Sequence, residues 1–207
     1  MKLEIYFDCS SPWSYLAFER IMPLAESFGL DVEWHPTLAG GIFNAVNPGI
    51  EWFNSKDKLP PRKLEYHSKV MQDWADITGI KITFPPAGHP VNSVKAMRAC
   101  LVLQPMGLLI PFARACFQAY FRDERLLSED SVLLDICQKV GVDGKWLLAR
   151  ISQQEAKDAL RAKVDEAIAR GAFGVPTIFL NDTDMYFGVD SLPLVAARLD
   201  QWRARTT

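Results

Sequence analysis

The chain has 207 residues, a length for one ordinary domain or a small domain with a large insertion. Apolar residues make up 49%, enough for a packed core, and a net charge of −2 gives no electrostatic case for nucleic acid or an anionic membrane. The most apolar window, residues 106–112, is too short to span a bilayer and contains Pro111, and Met1-Lys2-Leu3-Glu4 lacks the long apolar stretch of a signal peptide, so the cytoplasm is the expected location.

The apolar opening, residues 2–7, reads as a strand. A helix follows from about Pro12 to Phe28, with Leu16, Ile21, Leu24, Ala25 and Phe28 along one face. Pro12 suits a first helical turn, where its missing N–H costs nothing, and Gly29 is a helix stop. Asp31-Val32-Glu33-Trp34-His35 alternates like a second strand, so this part predicts a right-handed parallel βαβ unit. After Pro36 the pattern changes: residues 38–43 read as a loop leading into an Asn-, Pro- and Gly-rich segment. Helices are then predicted over 60–78, 92–105, 108–122, 129–140, 144–152 and 154–170, with breaks at Gly79, Pro85-Pro86, Gly88, Pro90, Gly107 and Gly141. Thr177-Ile178-Phe179-Leu180 and Met185-Tyr186-Phe187 flank an Asn181-Asp182 turn and read as a hairpin; the last helix covers about 191–203.

The sum is βαβ, helices, then ββα: an α/β class chain with a thioredoxin-like fold and a large all-helical domain inserted. The expected division is 1–45 and 154–207 for the first unit and 46–153 for the insert. The cysteines at 9, 100, 116 and 137 have no Cys-x-x-Cys spacing, and those at 100, 116 and 137 sit among apolar residues, as buried core thiols do. His35, His67 and His89 show no metal-ligand spacing, and no metal is expected.

Five blocks carry a resemblance: Tyr6-Phe7-Asp8 with Ser11-Pro12-Trp13-Ser14-Tyr15-Leu16; Leu59-Pro60-Pro61-Arg62-Lys63; residues 90–99; Gly171-Ala172-Phe173-Gly174-Val175-Pro176-Thr177; and Phe187-Gly188-Val189-Asp190-Ser191-Leu192. In this order they resemble the 2-hydroxychromene-2-carboxylate isomerases and kappa-class glutathione transferases, of the DsbA-like thioredoxin superfamily. The resemblance covers almost the whole chain and implies glutathione as cofactor, a small aromatic substrate and a homodimer.

Thioredoxin-type oxidoreductases place Cys-x-x-Cys where this chain has Ser11-Pro12-Trp13-Ser14. Without a dithiol, an oxidoreductase is argued against. A bare Ser11 hydroxyl is a weak nucleophile and no Ser-His-Asp pattern accompanies it. The resemblance instead gives Ser11 the task of donating to the sulfur of glutathione, helped by the positive helix end; the alternative is a plain helix cap, and the two are compatible. Ser14 is expected to be structural. Cys9 is expected near the same helix end, exposed and able to form a mixed disulfide, and is treated as incidental. Pro176 is expected to be cis, exposing the backbone of Val175 for pairing with the cysteinyl part; an edge-strand proline is the alternative. Asp190 would take the γ-glutamyl amino group, with the Val189 N–H and Ser191 at the carboxylate, or it is simply an N-cap. The family's serine is Val189 here, which removes one side-chain bond. Lys63 and Asn47 would meet the glycyl end, though Lys56, Lys58 and Arg62 lie near and a solvated Lys63 reads nearly as well.

Trp34, Trp52, Phe53 and Trp74 are expected to be mostly core. Trp13 and Phe43 are candidate walls for an aromatic substrate. Asn92 and Arg98 are candidates for its carboxylate, with Asn92 also a good helix cap. The implied activity is glutathione-dependent cis–trans isomerisation in aromatic (naphthalene-type) catabolism. A kappa-class transferase or peroxidase, and a non-catalytic glutathione-binding module, are the alternatives.

Overall fold

The computed structural model describes residues 1–49 and 60–206. Trp52, Phe53, Lys56 and Lys58 lie outside the described residues.

Four strands, β1 (Leu3–Phe7), β2 (Val32–Pro36), β3 (Thr177–Leu180) and β4 (Asp184–Phe187), form a mixed sheet in the order β2-β1-β3-β4. β1 is parallel to β2 and antiparallel to β3, and β3 pairs antiparallel with β4. The hairpin turn has Asn181 at φ +56, a left-handed position that asparagine tolerates, and Asn181 Oδ1 accepts from the Lys2 N–H at 3.2 Å. The expected thioredoxin-like α/β fold is present.

Helix α1 (Pro12–Ser27) joins β1 to β2, with Pro12 in its first turn, and Gly29 at φ +66 follows its end. A short helix, α2 (Ala39–Val46), then occupies the stretch read from sequence as a loop. Gly40 and Gly41 weaken its local propensity, but packing overrides that: Ala39 and Ile42 are buried, and a Cβ at Gly41 would sit 3.2 Å from Val164. Helices α3 (Pro61–Thr78), α4 (Val94–Leu103), α5 (Leu109–Phe121), α6 (Asp130–Val140), α7 (Gly144–Ser152) and α8 (Gln154–Ala169) follow close to their predicted spans. The last helix, α9 (Leu192–Thr206), starts one residue later than expected, after a 3₁₀ turn at Val189–Ser191. No described helix is long and apolar enough to cross a membrane.

Alternation along β1 divides the interior. Leu3, Ile5 and Phe7 join the larger core with α1, α4, α5 and α6, where Phe7, Phe18, Trp34 and Phe117 pack as an aromatic cluster. Tyr6 faces the other way, into a smaller core with Ala39, Ile42, Val164, Val175 and Phe179. Both sheet faces are therefore covered, and all five residues of β1 are buried, including Glu4.

Candidate active site

Register decides which distant residues meet. Phe7 pairs with Pro36, Tyr6 with Thr177, and Thr177 with Phe187. The ends of β1, β2 and β4 and the start of β3 therefore lie along one edge of the sheet. The Thr37 N–H donates to the Phe7 carbonyl and the Gly188 N–H to the Pro176 carbonyl, both at 3.0 Å. The Val189–Ser191 turn packs on α1. That edge thus gathers Ser11, Val175, Pro176, Val189, Asp190 and Ser191.

Ser11 is the N-cap of α1, 5% exposed, and its Oγ accepts from the Ser14 N–H at 3.2 Å. The hydroxyl proton is left to donate elsewhere. Ser14 Oγ in turn accepts from the Asp8 N–H at 3.4 Å, a bond within the loop that fits the structural role expected of it. The Val175–Pro176 peptide is cis, as expected, and the Val175 side chain is buried.

Asp190 is exposed on the 3₁₀ turn rather than capping α9. Gly188 has φ +84, and a Cβ there would collide with Asp190 Oδ1, so glycine is what lets this carboxylate fold over the turn. Val189 is fully buried, its side chain packed in the larger core. Ser191 Oγ and the Ser191 N–H both donate to the Gly188 carbonyl, at 2.7 and 3.3 Å, so this residue braces the turn.

Other predicted residues stand apart. Asn47 closes α2 with its Nδ2 donating to the Phe43 carbonyl at 2.9 Å, and Lys63 is exposed in the first turn of α3. Among the described residues no hydrogen bond ties either to the sheet-edge group. Trp13 and Phe43 are half-buried. Asn92 sits one residue before the Ser93 N-cap of α4, and its Oδ1 accepts from the Val94 N–H at 3.1 Å, so it satisfies the first donor of the helix as a cap does. Arg98 is half-buried, with a buried Nε that has no partner among the described residues.

Cys9 is corrected outright. It is fully buried, not exposed; its N–H donates to Met97 Sδ at 3.3 Å, and burial, then Cys100 and Cys116, push its thiol well above the usual range. A thiol so placed is inert. Cys100, Cys116 and Cys137 are buried as expected.

Sequence reasoning quoted Asp8 without giving it a task. Its carboxylate is 1% exposed; Oδ1 accepts from the Ser10 N–H at 2.9 Å and Oδ2 from the Ala39 N–H at 2.8 Å, with the Ser10 and Ser93 hydroxyls also bonded to it. Thr37 Oγ1, two residues before Ala39, is buried with no partner among the described residues. An acid directly after an apolar strand and ahead of Ser-Ser-Pro was the available signal.

On the α8 face of the sheet lies a partly buried ionic network. Arg170 holds Glu4 with two bonds, at 2.9 and 2.8 Å, and also donates to Tyr6 Oη, which donates to Glu166. Lys163 donates to Glu166 and, at 3.1 Å, to His35 Nδ1; His35 Nε2 therefore carries the proton and donates to Glu4 at 3.1 Å. Burial, then Lys163, lowers the His35 pKa, which agrees with a neutral ring. Burial works to raise Glu4, but Arg170 and Lys2 outweigh it and hold its carboxyl at about 2. Glu4, Glu33 and His35 are close enough together for metal ligands, yet Lys2, Lys163 and Arg170 already pair with this set.

The model of the DSBA-like thioredoxin domain matches residues 2–200. The chain is 28% identical over 190 residues to a 2-hydroxychromene-2-carboxylate isomerase of Pseudomonas sp. (strain C18), covering 92% of this chain and 86% of that protein. It is 26% identical over 214 residues to glutathione S-transferase kappa 1 of Rattus norvegicus, covering 97% and 92%. The solved structure of a 2-hydroxychromene-2-carboxylate isomerase superposes with a TM-score of 0.85 at 27% identity, over 100% of both chains.

Proposed function

This chain belongs to the DSBA-like thioredoxin domain family, and on that premise we propose that it is a glutathione-dependent isomerase acting on an aromatic substrate of the 2-hydroxychromene-2-carboxylate type. The observation that carries the reading is the sheet-edge arrangement: a serine N-cap in the place of a redox dithiol, beside a cis-proline loop and an exposed aspartate turn. The donor set suits glutathione. The turn at 188–191 presents a carboxylate to an amino group over a glycine that a Cβ would block, and the α1 N-terminus offers a positive helix end to a sulfur. Glutathione, when bound, supplies a thiolate that adds to a conjugated alkene, frees the bond to rotate, and leaves again.

The protein's own part is binding and polarisation. Ser11 Oγ, its acceptor side occupied by Ser14, directs its proton toward the sulfur. Asp190 takes the γ-glutamyl ammonium and the Val189 N–H its carboxylate, with Ser191 bracing the turn. The backbone of Val175 before Pro176 aligns the cysteinyl unit, and Lys63 and Asn47 face the glycyl end. Arg98, with its orphaned Nε, takes the substrate carboxylate with Asn92, and Trp13 and Phe43 wall the ring. The protein acts in the cytoplasm as a homodimer, without a metal ion.

Ultraviolet thiolate absorbance on adding glutathione across pH tests this reading. Thiolate near neutral pH in the parent, and only at higher pH in Ser11→Ala, supports it; a fall in pKa of ~2 units at the helix end corresponds to roughly 2.7 kcal/mol. No thiolate at any accessible pH overturns it. The transferase alternative draws on relatives of both names at similar identity. Turnover with glutathione consumed supports that reading; turnover with it conserved supports the isomerase.

A further inference from the structure

Asp8 is a buried carboxylate that no described lysine, arginine or histidine pairs with. Its partners come from three elements: the Ser10 N–H and hydroxyl in the loop before α1, the Ala39 N–H that opens α2, and the Ser93 hydroxyl that precedes α4. The same residue's backbone carbonyl accepts from the Ser11 N–H at 3.0 Å, and its N–H donates to Ser14 Oγ. The N-termini of α2 and α4 stand in for a counter-ion. The other titratable groups around it are neutral: the Cys9 thiol on its own loop and the buried Tyr120 phenol on α5.

We propose that Asp8 is a positioning residue of the candidate site, which pins the loop carrying Ser11 to α2 and α4 and, once ionised, sets a negative charge against any second anion formed at Ser11. The helix end and the Ser11 hydroxyl favour a thiolate; Asp8 opposes it, and so the two carriers of negative charge ionise at each other's expense. The consequence is a ceiling on the acidity of a thiol held there. It deepens the glutathione reading, and it is tested without glutathione.

Ser11→Cys places a thiol at the α1 N-terminus, and its pKa is read from the pH dependence of iodoacetamide alkylation. Mass spectrometry counts a single adduct, because the four native thiols are buried. Adding Asp8→Asn, or Asp8→Ser, whose hydroxyl can still accept from the Ser10 N–H, removes the charge. The expected result is a thiol pKa lower by about one unit, a roughly tenfold larger thiolate fraction below the pKa. A merely structural Asp8 gives the opposite sign: the loosened helix start loses its hold on the thiolate and the pKa rises. An unchanged or raised pKa overturns the proposal, as does failure of both neutral variants to fold by circular dichroism, which would make the carboxylate a structural staple alone. Since Ser11→Cys carries its own sulfur, absence of glutathione binding to the parent leaves this result readable.

Discussion

Arg170→Met isolates the buried end of the ionic network at Glu4. The guanidinium lies 3.8 Å over the Phe179 ring and makes two bonds to Glu4, whose side chain is 1% exposed. Methionine keeps the apolar stem and removes the charge. Glu4 is left with Lys2, which is itself 45% exposed, and with a neutral His35. Breaking a buried pair from one side costs about 3–5 kcal/mol, and the remaining partners place this case near 3. Linkage gives a similar figure: a carboxyl held at about 2 rather than 4.5 contributes about 3 kcal/mol at neutral pH. For a domain of this size that is a fall in Tm of roughly 6–12 °C. The pH dependence separates this mechanism from lost packing. In the parent, the Glu4 contribution is complete above 4.5 and disappears as pH falls toward 2. In Arg170→Met, burial is opposed by Lys2 without the guanidinium and the Glu4 pKa rises, so the acid-side slope of stability flattens between pH 5 and 2. Urea unfolding followed by circular dichroism at several pH values measures both, and Glu4→Gln/Arg170→Met should recover part of the loss. A Tm within about 2 °C of the parent and an unchanged acid slope would refute the reasoning.

The other expectations are smaller. His35 is neutral in the folded protein with a lowered pKa, so the unfolded chain binds the proton first and stability falls as pH drops below 6.5; His35→Gln should remove that component of the pH–stability curve. Gly188→Ala forces a Cβ into a left-handed position and into Asp190, costing about 1–3 kcal/mol and weakening glutathione binding in calorimetry at least tenfold. Native protein should release no chromophore from a thiol-reactive disulfide reagent, and four equivalents once denatured. Asp143 Oδ1 accepts from the N–H groups of Lys145 and Trp146 at the start of α7, so Asp143→Ala should cost about 1 kcal/mol, seen as a Tm lower by roughly 2–4 °C.

Local signals made most of the fold legible. Periodicity gave the strands and long helices, Pro12 and Gly29 bounded α1, and the Asn-Asp turn gave the hairpin. Residues 38–46 were not legible, because two glycines argue for a loop and only burial against Val164 turns them into α2. The Ser11 cap was readable as a serine ahead of a helix-opening proline, and the cis peptide before Pro176 from the resemblance to thioredoxin-like folds. Asp8 and the Arg170–Glu4 pair were not, because their meaning lies in partners more than 30 and 160 residues away. Cys9 misled: two residues from an exposed-looking helix start, its side chain turns inward to α4 and α5.

The sheet has one further consequence, for how such proteins diversify. The chain leaves the sheet at Pro36 and returns at Thr177, an excursion of about 140 residues whose regular elements, among the described residues, are all helical. The entropy of closing so long a loop grows only with the logarithm of its length, about 0.6 kcal/mol for each doubling. Segments can therefore be added to or taken from that excursion with little effect on the pairing of β1 with β3, the pairing that sets Ser11 beside Pro176. The sheet-end group and the helices around it are thus free to evolve at different rates, the first held by hydrogen-bonded register and the second by exchangeable helix packing.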